Sequence, residues 1–295
     1  MQYSPDEIIF SVIVAVYNRD KYIEECIQSV LEQEFKNFEL IVVDDGSVDK
    51  TAAKIKTFQD SRLKYFYKEH SGCWETKNLG LDKASGKFIV FLDSDDYLGN
   101  YYLKSAFRLI YTYENFDYYY PEKLFIAEED GRVTNSIWRY IAYPLNERLK
   151  IISLFMNKTI GGIPHTGAFV RKEVYERLGK FNGELHNFGD TDYIIRRADK
   201  IKFKHLPELR YYYKRHHKHQ ICKDYDFRNK TTADLIEYCL LNYPENCYLP
   251  QTGKPMTKEE FAVRKLLELA ETSPPPSEPF IEKSKKIIKM MREKR

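Results

Sequence analysis

The sequence predicts an α/β fold, a parallel sheet wound right-handedly with helices on its faces, and three observations predict it. Short apolar runs rich in β-branched and aromatic residues recur at 8–16, 39–43, 63–67 and 88–92, as expected for strands buried on both faces. Helical stretches separate them, and strand–helix alternation of this kind marks a parallel, wound sheet. Three of the runs stop at polar clusters, Tyr17-Asn18, Asp44-Asp45-Gly46-Ser47 and Asp93-Ser94-Asp95-Asp96. Open α/β sheets bind their ligands beyond the carboxyl ends of the strands, so these three ends are expected to line one crevice.

The first strand leads into Tyr17-Asn18-Arg19-Asp20. In the helix that follows, Ile23, Cys26, Ile27, Val30 and Leu31 recur at the helical period, with Glu24, Glu25, Gln28 and Glu32 on the other face. After the second strand Ser47 is placed to cap a helix from Asp49 to Phe58. The third strand, Leu63 to Tyr67, precedes a polar loop, Glu69-His70-Ser71-Gly72, and a helix over Glu75 to Ala84. The fourth ends at Asp93, Asp95 and Asp96, where each ionised carboxylate raises the cost of ionising the next. A divalent cation carrying a phosphorylated ligand answers that charge. The competing reading is an acidic turn that caps the following helix.

Beyond this region the pattern is less regular. Residues 113–135 read as a strand pair and hairpin around the Glu128-to-Arg132 turn, in a mixed part of the sheet, and 145–156 as a helix. From Asp224 onward the reading is helical, with a stripe of Leu235, Ile236, Cys239 and Leu240 and a second helix over 261–270. Two parts are therefore expected: residues 1–222, with a ligand-binding half of about 1–100 and a second half of about 101–222, and a small helical extension over 223–295. The extension carries a stiff Pro-rich linker at 273–279 and a basic tail at 280–295.

Composition narrows the function classes. Lys+Arg (47) nearly balance Asp+Glu (44), which argues against a dedicated nucleic-acid binder. The 5 cysteines, Cys26, Cys73, Cys222, Cys239 and Cys247, are odd in number and lack CxxC spacing, so neither a disulfide framework nor a thiolate zinc site is expected. No charged-then-apolar leader and no run of about 18 apolar residues occurs, and a cytoplasmic protein is expected. The tail, with Lys283, Lys285, Lys286, Lys289, Arg292, Lys294 and Arg295 around a small apolar stripe, is a candidate contact for an anionic membrane surface, with a solvated tail or an oligomer contact as the competing readings.

Four stretches in order, Phe10 to Asn18, Glu39 to Ser47, Lys77-Asn78-Leu79-Gly80 and Phe91 to Asp96, resemble the family 2 inverting glycosyltransferases of the GT-A fold, over roughly residues 8–217. The resemblance implies a Rossmann-like, mixed wound sheet and a nucleotide-sugar donor, most often a UDP-sugar, with a divalent metal, Mn²⁺ or Mg²⁺. Carried onto this sequence, it implies donor contacts at Ala15, Tyr17, Asp45, Lys77, Asp93, Ser94 and Asp95. Tyr17 would stack on the base, Asp45 would accept from the pyrimidine ring, Asp93 would contact ribose and Asp95 would hold the metal. Lys77 stands where the family usually has Arg, a point charge in place of a bidentate fork.

The same resemblance sets Gly161 to Lys172 beneath the acceptor, with His165 and Thr166 as acceptor candidates beside Asp192. Gly189-Asp190-Thr191-Asp192 resembles the acidic motif that supplies the catalytic base, with Gly189 replacing its usual first Glu. Two residues apart on a helix, Asp190 and Asp192 point about 200° apart, and alignment with the motif makes Asp190 the base. Tyr213-Lys214-Arg215-His216 resembles an element that closes the site, with His216 as a second metal ligand. The acceptor would be a saccharide or a lipid-linked saccharide. A haloacid-dehalogenase-type phosphatase is disfavoured because Tyr97 stands where it wants Thr or Val. A sugar nucleotidyltransferase is disfavoured by the absence of a Gly-rich phosphate loop after the first strand. A processive synthase would carry Gln-x-x-Arg-Trp and membrane helices, and neither Trp74 nor Trp138 has that setting. The alternative from another class is a non-catalytic nucleotide-sugar or saccharide binding module.

Overall fold

The computed structural model describes residues 4, 7–121, 123–127, 132–137, 165–185, 189–209, 212–215, 285–286 and 289. The chain divides into two compact units, one of Met1–Tyr140, Pro164–His186 and Ile201–Lys218, the other of Ile141–Ile163, Asn187–Lys200 and His219–Arg295.

The first unit is built on a sheet that begins β1 (Phe10–Val16), β2 (Phe38–Asp44), β3 (Leu63–Tyr67) and β4 (Phe88–Phe91). With β6 (Tyr118–Pro121), β9 (Phe169–Arg171) and β10 (Phe203–Leu206) it has 7 strands in the order β10-β6-β9-β4-β1-β2-β3. Only β9 runs against its neighbours β4 and β6; the remaining pairs are parallel. A single reversed strand makes the sheet mixed, as expected.

The pleat explains the all-apolar strands. Phe10, Val12, Val14 and Val16 share a core with Ile23, Cys26, Ile27 and Val30 of α1 (Ile23–Leu31) and with Tyr102, Leu103, Ala106 and Ile110 of α4 (Tyr102–Thr112). On the other face Ile13 meets α3 (Cys73–Lys83), whose Gly80 lies so close that an added Cβ would stand 2.4 Å from Ile13 Cγ2. β1, β2 and β4 are thus covered on both faces, which needs apolar residues at successive positions rather than alternate ones, whereas β3, expected to be buried on both faces, lies at the edge of the sheet with Lys64 and Tyr67 exposed.

A second sheet of 4 strands, β5-β11-β7-β8, joins β5 (Tyr97–Leu98), β11 (Tyr212–Arg215), β7 (Lys123–Ala127) and β8 (Val133–Ile137). The expected hairpin is the antiparallel β7–β8 pair of this smaller sheet, whereas Tyr118 to Tyr120 enter the main sheet and are buried. Two expectations change. The helix after β2 is short, α2 (Thr51–Ile55), and Ser47 does not cap it. The Ser47 hydroxyl accepts from the Asn18 amide at 3.0 Å, and it is Asp49 that accepts from the Thr51 amide at 2.9 Å. The helix α4 falls in a stretch assigned to no element from the sequence, although Leu103, Ala106 and Ile110 recur at the helical period and are buried. Helices expected over 145–156, 235–240 and 261–270 lie outside the described residues. The first unit also contains α5 (Lys172–Leu178), and the second unit contains α6 (Gly189–Arg197).

Candidate active site

Register brings the candidate residues to one edge. Val16 pairs with Asp44, and Asp44 with Tyr67, so Tyr17, Asp45 and Lys68 leave the sheet side by side. Ile13 pairs with Phe91, and the Leu92 amide donates to the Ile13 carbonyl at 3.0 Å before the chain reaches Asp93. Asn18 takes a left-handed conformation, φ 50°, and its side-chain oxygen accepts from the Val48 amide at 2.9 Å. The first two strand ends are thereby stitched together.

Asp45 accepts hydrogen bonds on both of its carboxylate oxygens. Its Oδ1 accepts from Lys68 Nζ at 2.5 Å and from the Ser71 amide at 3.0 Å. Its Oδ2 accepts from the Gly72 amide at 2.9 Å and lies 2.8 Å from His70 Nδ1. Burial pushes the Asp45 carboxyl up, but the hydrogen bonds from Lys68, Ser71, Thr76 and Gly72 outweigh it and hold it below the ordinary carboxylate range. The carboxylate is therefore charged at neutral pH and fixes the 68–72 loop. Tyr17, 40% exposed, lies flat against His70, with ring centroids 4.2 Å apart and 27° between planes.

The three carboxylates after β4 are held in three different ways. Asp96 is buried and accepts from the Tyr212 hydroxyl at 2.6 Å, an internal bond between β11 and the acidic turn. Asp93 lies 3.4 Å from Lys77 Nζ on one oxygen and accepts from Thr166 Oγ1 at 3.2 Å on the other, with its side chain 38% exposed. Asp95 is 3.8 Å from Arg19 Nε. Lys77 is buried, its ammonium 4.9 Å from the Trp74 ring centroid and 5.4 Å from that of Phe91. Such a cation beside Asp93 offsets part of the local negative charge. Buried beneath, Cys26 points its Sγ to the Asp93 carbonyl at 3.7 Å, and burial together with Asp96, Asp95 and Asp93 raises its thiol pKa well above the usual value. It is a core thiol, not a nucleophile.

The remaining candidates divide. Ala15 is half-buried near the end of β1, and Ser94 is buried in the acidic turn. Thr166, expected among the acceptor contacts, donates its hydroxyl to Asp93. His165 corrects the expectation of a sugar contact. It is 2% exposed, stacked on Phe91 at 5.0 Å, with Nδ1 3.1 Å from the Tyr118 hydroxyl and Nε2 3.3 Å from that of Tyr175. Both ring nitrogens are spent within the core, which is why the imidazole is unavailable to a ligand.

His165 also makes an acid-sensitivity prediction. Burial, with the Lys77 charge, pushes its pKa down from 6.5 to about 3. The unfolded chain then binds the proton that the folded chain refuses, so stability is full above pH 6.5 and falls as pH drops toward 3. Wild type should lose up to about 1.4 kcal/mol per pH unit below 6.5 in urea melts that His165→Gln, which cannot titrate, does not lose. Parallel pH profiles of the two proteins would contradict this.

In the second unit, Asp190 and Asp192 both lie in the first turn of α6 and differ in their ties. Asp192 is buried and bound to Arg196 Nε at 2.6 Å, an i,i+4 pair that supports the helix. Asp190 is half-buried, and its Oδ1 accepts from the Thr191 amide at 2.7 Å. His216 lies outside the described residues. Sequence reasoning missed Arg19, Lys68, His70 and Tyr212. Only His70 and Lys68 had a signal, their place in or beside the polar loop after β3.

Among the described residues no group of three His, Cys, Asp or Glu side chains is gathered to hold a metal. That donor set still suits Mg²⁺ or Mn²⁺, which bind through one or two carboxylates and complete their shell with phosphate and water. Asp95 is the ligand such an ion would use, with Asp93 beside it.

The sequence profile of the family described as Glycosyl transferase family 2 matches residues 11–179, more than half of the 295 residues. The chain belongs to this family. Glycosyltransferase GlyA of Streptococcus pneumoniae is 37% identical over 106 residues, 35% of this chain and 15% of that protein. The GalNAc(5)-diNAcBac-PP-undecaprenol beta-1,3-glucosyltransferase of Campylobacter jejuni is 46% identical over 92 residues, 30% of this chain and 30% of that protein. This chain thus spans less than a third of the length of either relative. Among solved structures, S. aureus TarS 1-349 in complex with UDP-GlcNAc superposes with a TM-score of 0.64 at 23% identity, over 89% of this chain and 72% of that one. The mannosyltransferase PcManGT of Pyrobaculum calidifontis, in complex with GDP-Man and Mn2+, gives 0.58 at 16% identity, over 97% of this chain and 75% of that one. These likenesses establish the GT-A type of fold for this family 2 glycosyltransferase chain.

Proposed function

We propose that this chain transfers a sugar from a nucleotide-sugar, a UDP-sugar first, to a hydroxyl of a saccharide or lipid-linked acceptor, one unit at a time and with inversion. The observation that carries the reading is the row of Tyr17, Asp45, Asp93 and Asp95 just beyond the ends of adjacent strands, with Lys77 of α3 against Asp93, in a family 2 chain. A base stacks on Tyr17 and bonds to Asp45. Asp93 meets the ribose, held by Lys77 and Thr166. Asp95 would hold Mn²⁺ or Mg²⁺, and such an ion would supply positive charge against the leaving diphosphate. The names of relatives support the donor and acceptor classes: TarS was solved with UDP-GlcNAc, and the Campylobacter protein is named for an undecaprenol-linked substrate. Inversion needs a base on the acceptor side, and Asp190 takes that role, because Asp192 is committed to Arg196.

Thermal shift with UDP-, GDP-, TDP- and CMP-sugars, each with and without Mn²⁺, tests the reading. A donor at 100 times its Kd should stabilise by about 2.7 kcal/mol. No shift with any donor in Mn²⁺ would sink it.

No helix among the described residues is long and apolar enough to cross a membrane. The basic tail supplies a surface contact in this proposal, and Lys285, Lys286 and Lys289 are exposed. Removing residues 280–295 should reduce sedimentation with anionic vesicles, most clearly at low salt, and leave transfer to a soluble acceptor nearly intact. Equal pelleting of full and shortened proteins would return the tail to a solvated role.

A further inference from the structure

Asp45 already has hydrogen-bond donors on both carboxylate oxygens. Two come from the amides of Ser71 and Gly72, fixed by the loop backbone. A third comes from Lys68, whose ammonium also bonds the Glu69 carbonyl at 2.7 Å and the Ser71 hydroxyl. The His70 imidazole, 55% exposed and tied to little else, stands over the same carboxylate: its Nδ1 lies 2.8 Å from Asp45 Oδ2 and bonds the Asp45 backbone carbonyl at 3.1 Å. The same ring covers Tyr17 at 4.2 Å, too close for a third ring to enter between them.

A flat nitrogen heterocycle that stacks on Tyr17 and turns an N–H toward Asp45 has the chemistry of the donor's own base, since uracil offers a ring face and an N3–H. We propose that His70 occupies the seat of the base, so that the base binds only when His70 swings out, and that His70 thereby sets the affinity of the site for the nucleotide. The inference rests on the donor reading above. The motion required is small. Gly46, at φ +79°, packs so closely that a Cβ on it would stand 2.9 Å from the His70 amide nitrogen, so the loop backbone is held in place. Rotation about the side-chain bonds alone carries the exposed ring into solvent, a change on the scale of ordinary rotamer exchange. The N–H of the base then takes the place of His70 Nδ1 beside Oδ2, so the carboxylate gains a donor where the ring stood.

Apparent affinity is divided by the fraction of molecules with the seat open, so removing the occupant should tighten binding. Calorimetric titration of UDP in Mn²⁺ tests this on the whole chain. His70→Ala should lower the Kd of UDP about threefold to tenfold, the range for losing one competing hydrogen bond and one stacked ring. Inorganic diphosphate, which has no base, should bind both proteins alike. Equal or weaker UDP binding by His70→Ala overturns the proposal, as does an equal gain for diphosphate. A readout on the wild type does not depend on how the variant folds. The His70 ring protons, shifted by the Tyr17 ring, should move on addition of UDP toward their positions in Tyr17→Leu, and unmoved resonances at saturation overturn the proposal. If UDP binds wild type but His70 responds in neither experiment, this inference alone fails. If UDP binds neither protein, the donor reading fails and takes the inference with it.

Discussion

Asp190→Asn should lower kcat by about 10²–10⁴-fold and leave the affinities for UDP and Mn²⁺ unchanged. Inverting transfer requires an acceptor hydroxyl to attack the anomeric carbon opposite the leaving diphosphate, and the attacking oxygen must lose a proton as it does so. A carboxylate supplies that service; its amide, of the same shape, does not. Two carboxylates share the first turn of α6, and their bonds separate them. Asp192 is buried and tied to Arg196 at 2.6 Å, so its removal should loosen the helix before it touches chemistry. Asp190 is half-buried and bonds to its own neighbour Thr191. Asp192→Asn should accordingly lower the melting temperature more than Asp190→Asn does. Near wild-type transfer by Asp190→Asn, with transfer lost in a folded Asp192→Asn, would exchange the two roles.

Asp95→Asn should raise the Kd of UDP in Mn²⁺ by about 100-fold, equivalent to about 2.7 kcal/mol. The diphosphate arrives at a turn that already carries Asp93, Asp95 and Asp96, and a cation must offset that charge. Asp96 is engaged by Tyr212 and Asp93 by Lys77 and Thr166, and Asp95, the position that the family resemblance gives to the metal, faces Arg19 at 3.8 Å. Its neighbour Arg19, 3.8 Å away, limits the loss, since without the carboxylate its guanidinium can turn toward phosphate. The residual binding of the variant should therefore be insensitive to EDTA. Equal UDP affinity of wild type in Mn²⁺ and in EDTA would contradict the metal role.

The fold was legible where local and global preferences agree. Runs such as Val12-Ile13-Val14 and Leu40-Ile41-Val42 are fully buried, and a strand covered on both faces announces itself by unbroken apolar residues. The polar clusters at the strand ends were legible for the same reason, since nothing in a buried strand accounts for Asp93 to Asp96. Legibility failed where a side chain's role depends on a partner distant in sequence. Nothing in the sequence next to Asp96 names Tyr212 as the hydroxyl that engages it, 116 residues away. His165 in a Gly-rich stretch reads as a ligand contact until Tyr118 and Tyr175 close around it. Ser47 has the chemistry of a helix cap, but Asn18, 29 residues earlier, takes its hydroxyl. His70 was visible only as one polar residue in a loop; its stacking on Tyr17 and its bond to Asp45 exist only once β1, β2 and β3 are aligned.

The most direct measurement is anomalous diffraction at the manganese edge from crystals grown with UDP and Mn²⁺. A manganese peak is expected within coordination distance of the Asp95 carboxylate, with the uracil ring on Tyr17 and its N3–H toward Asp45. A nucleotide bound away from the ends of β1, β2 and β4, or a manganese ion that does not touch Asp95, would contradict it.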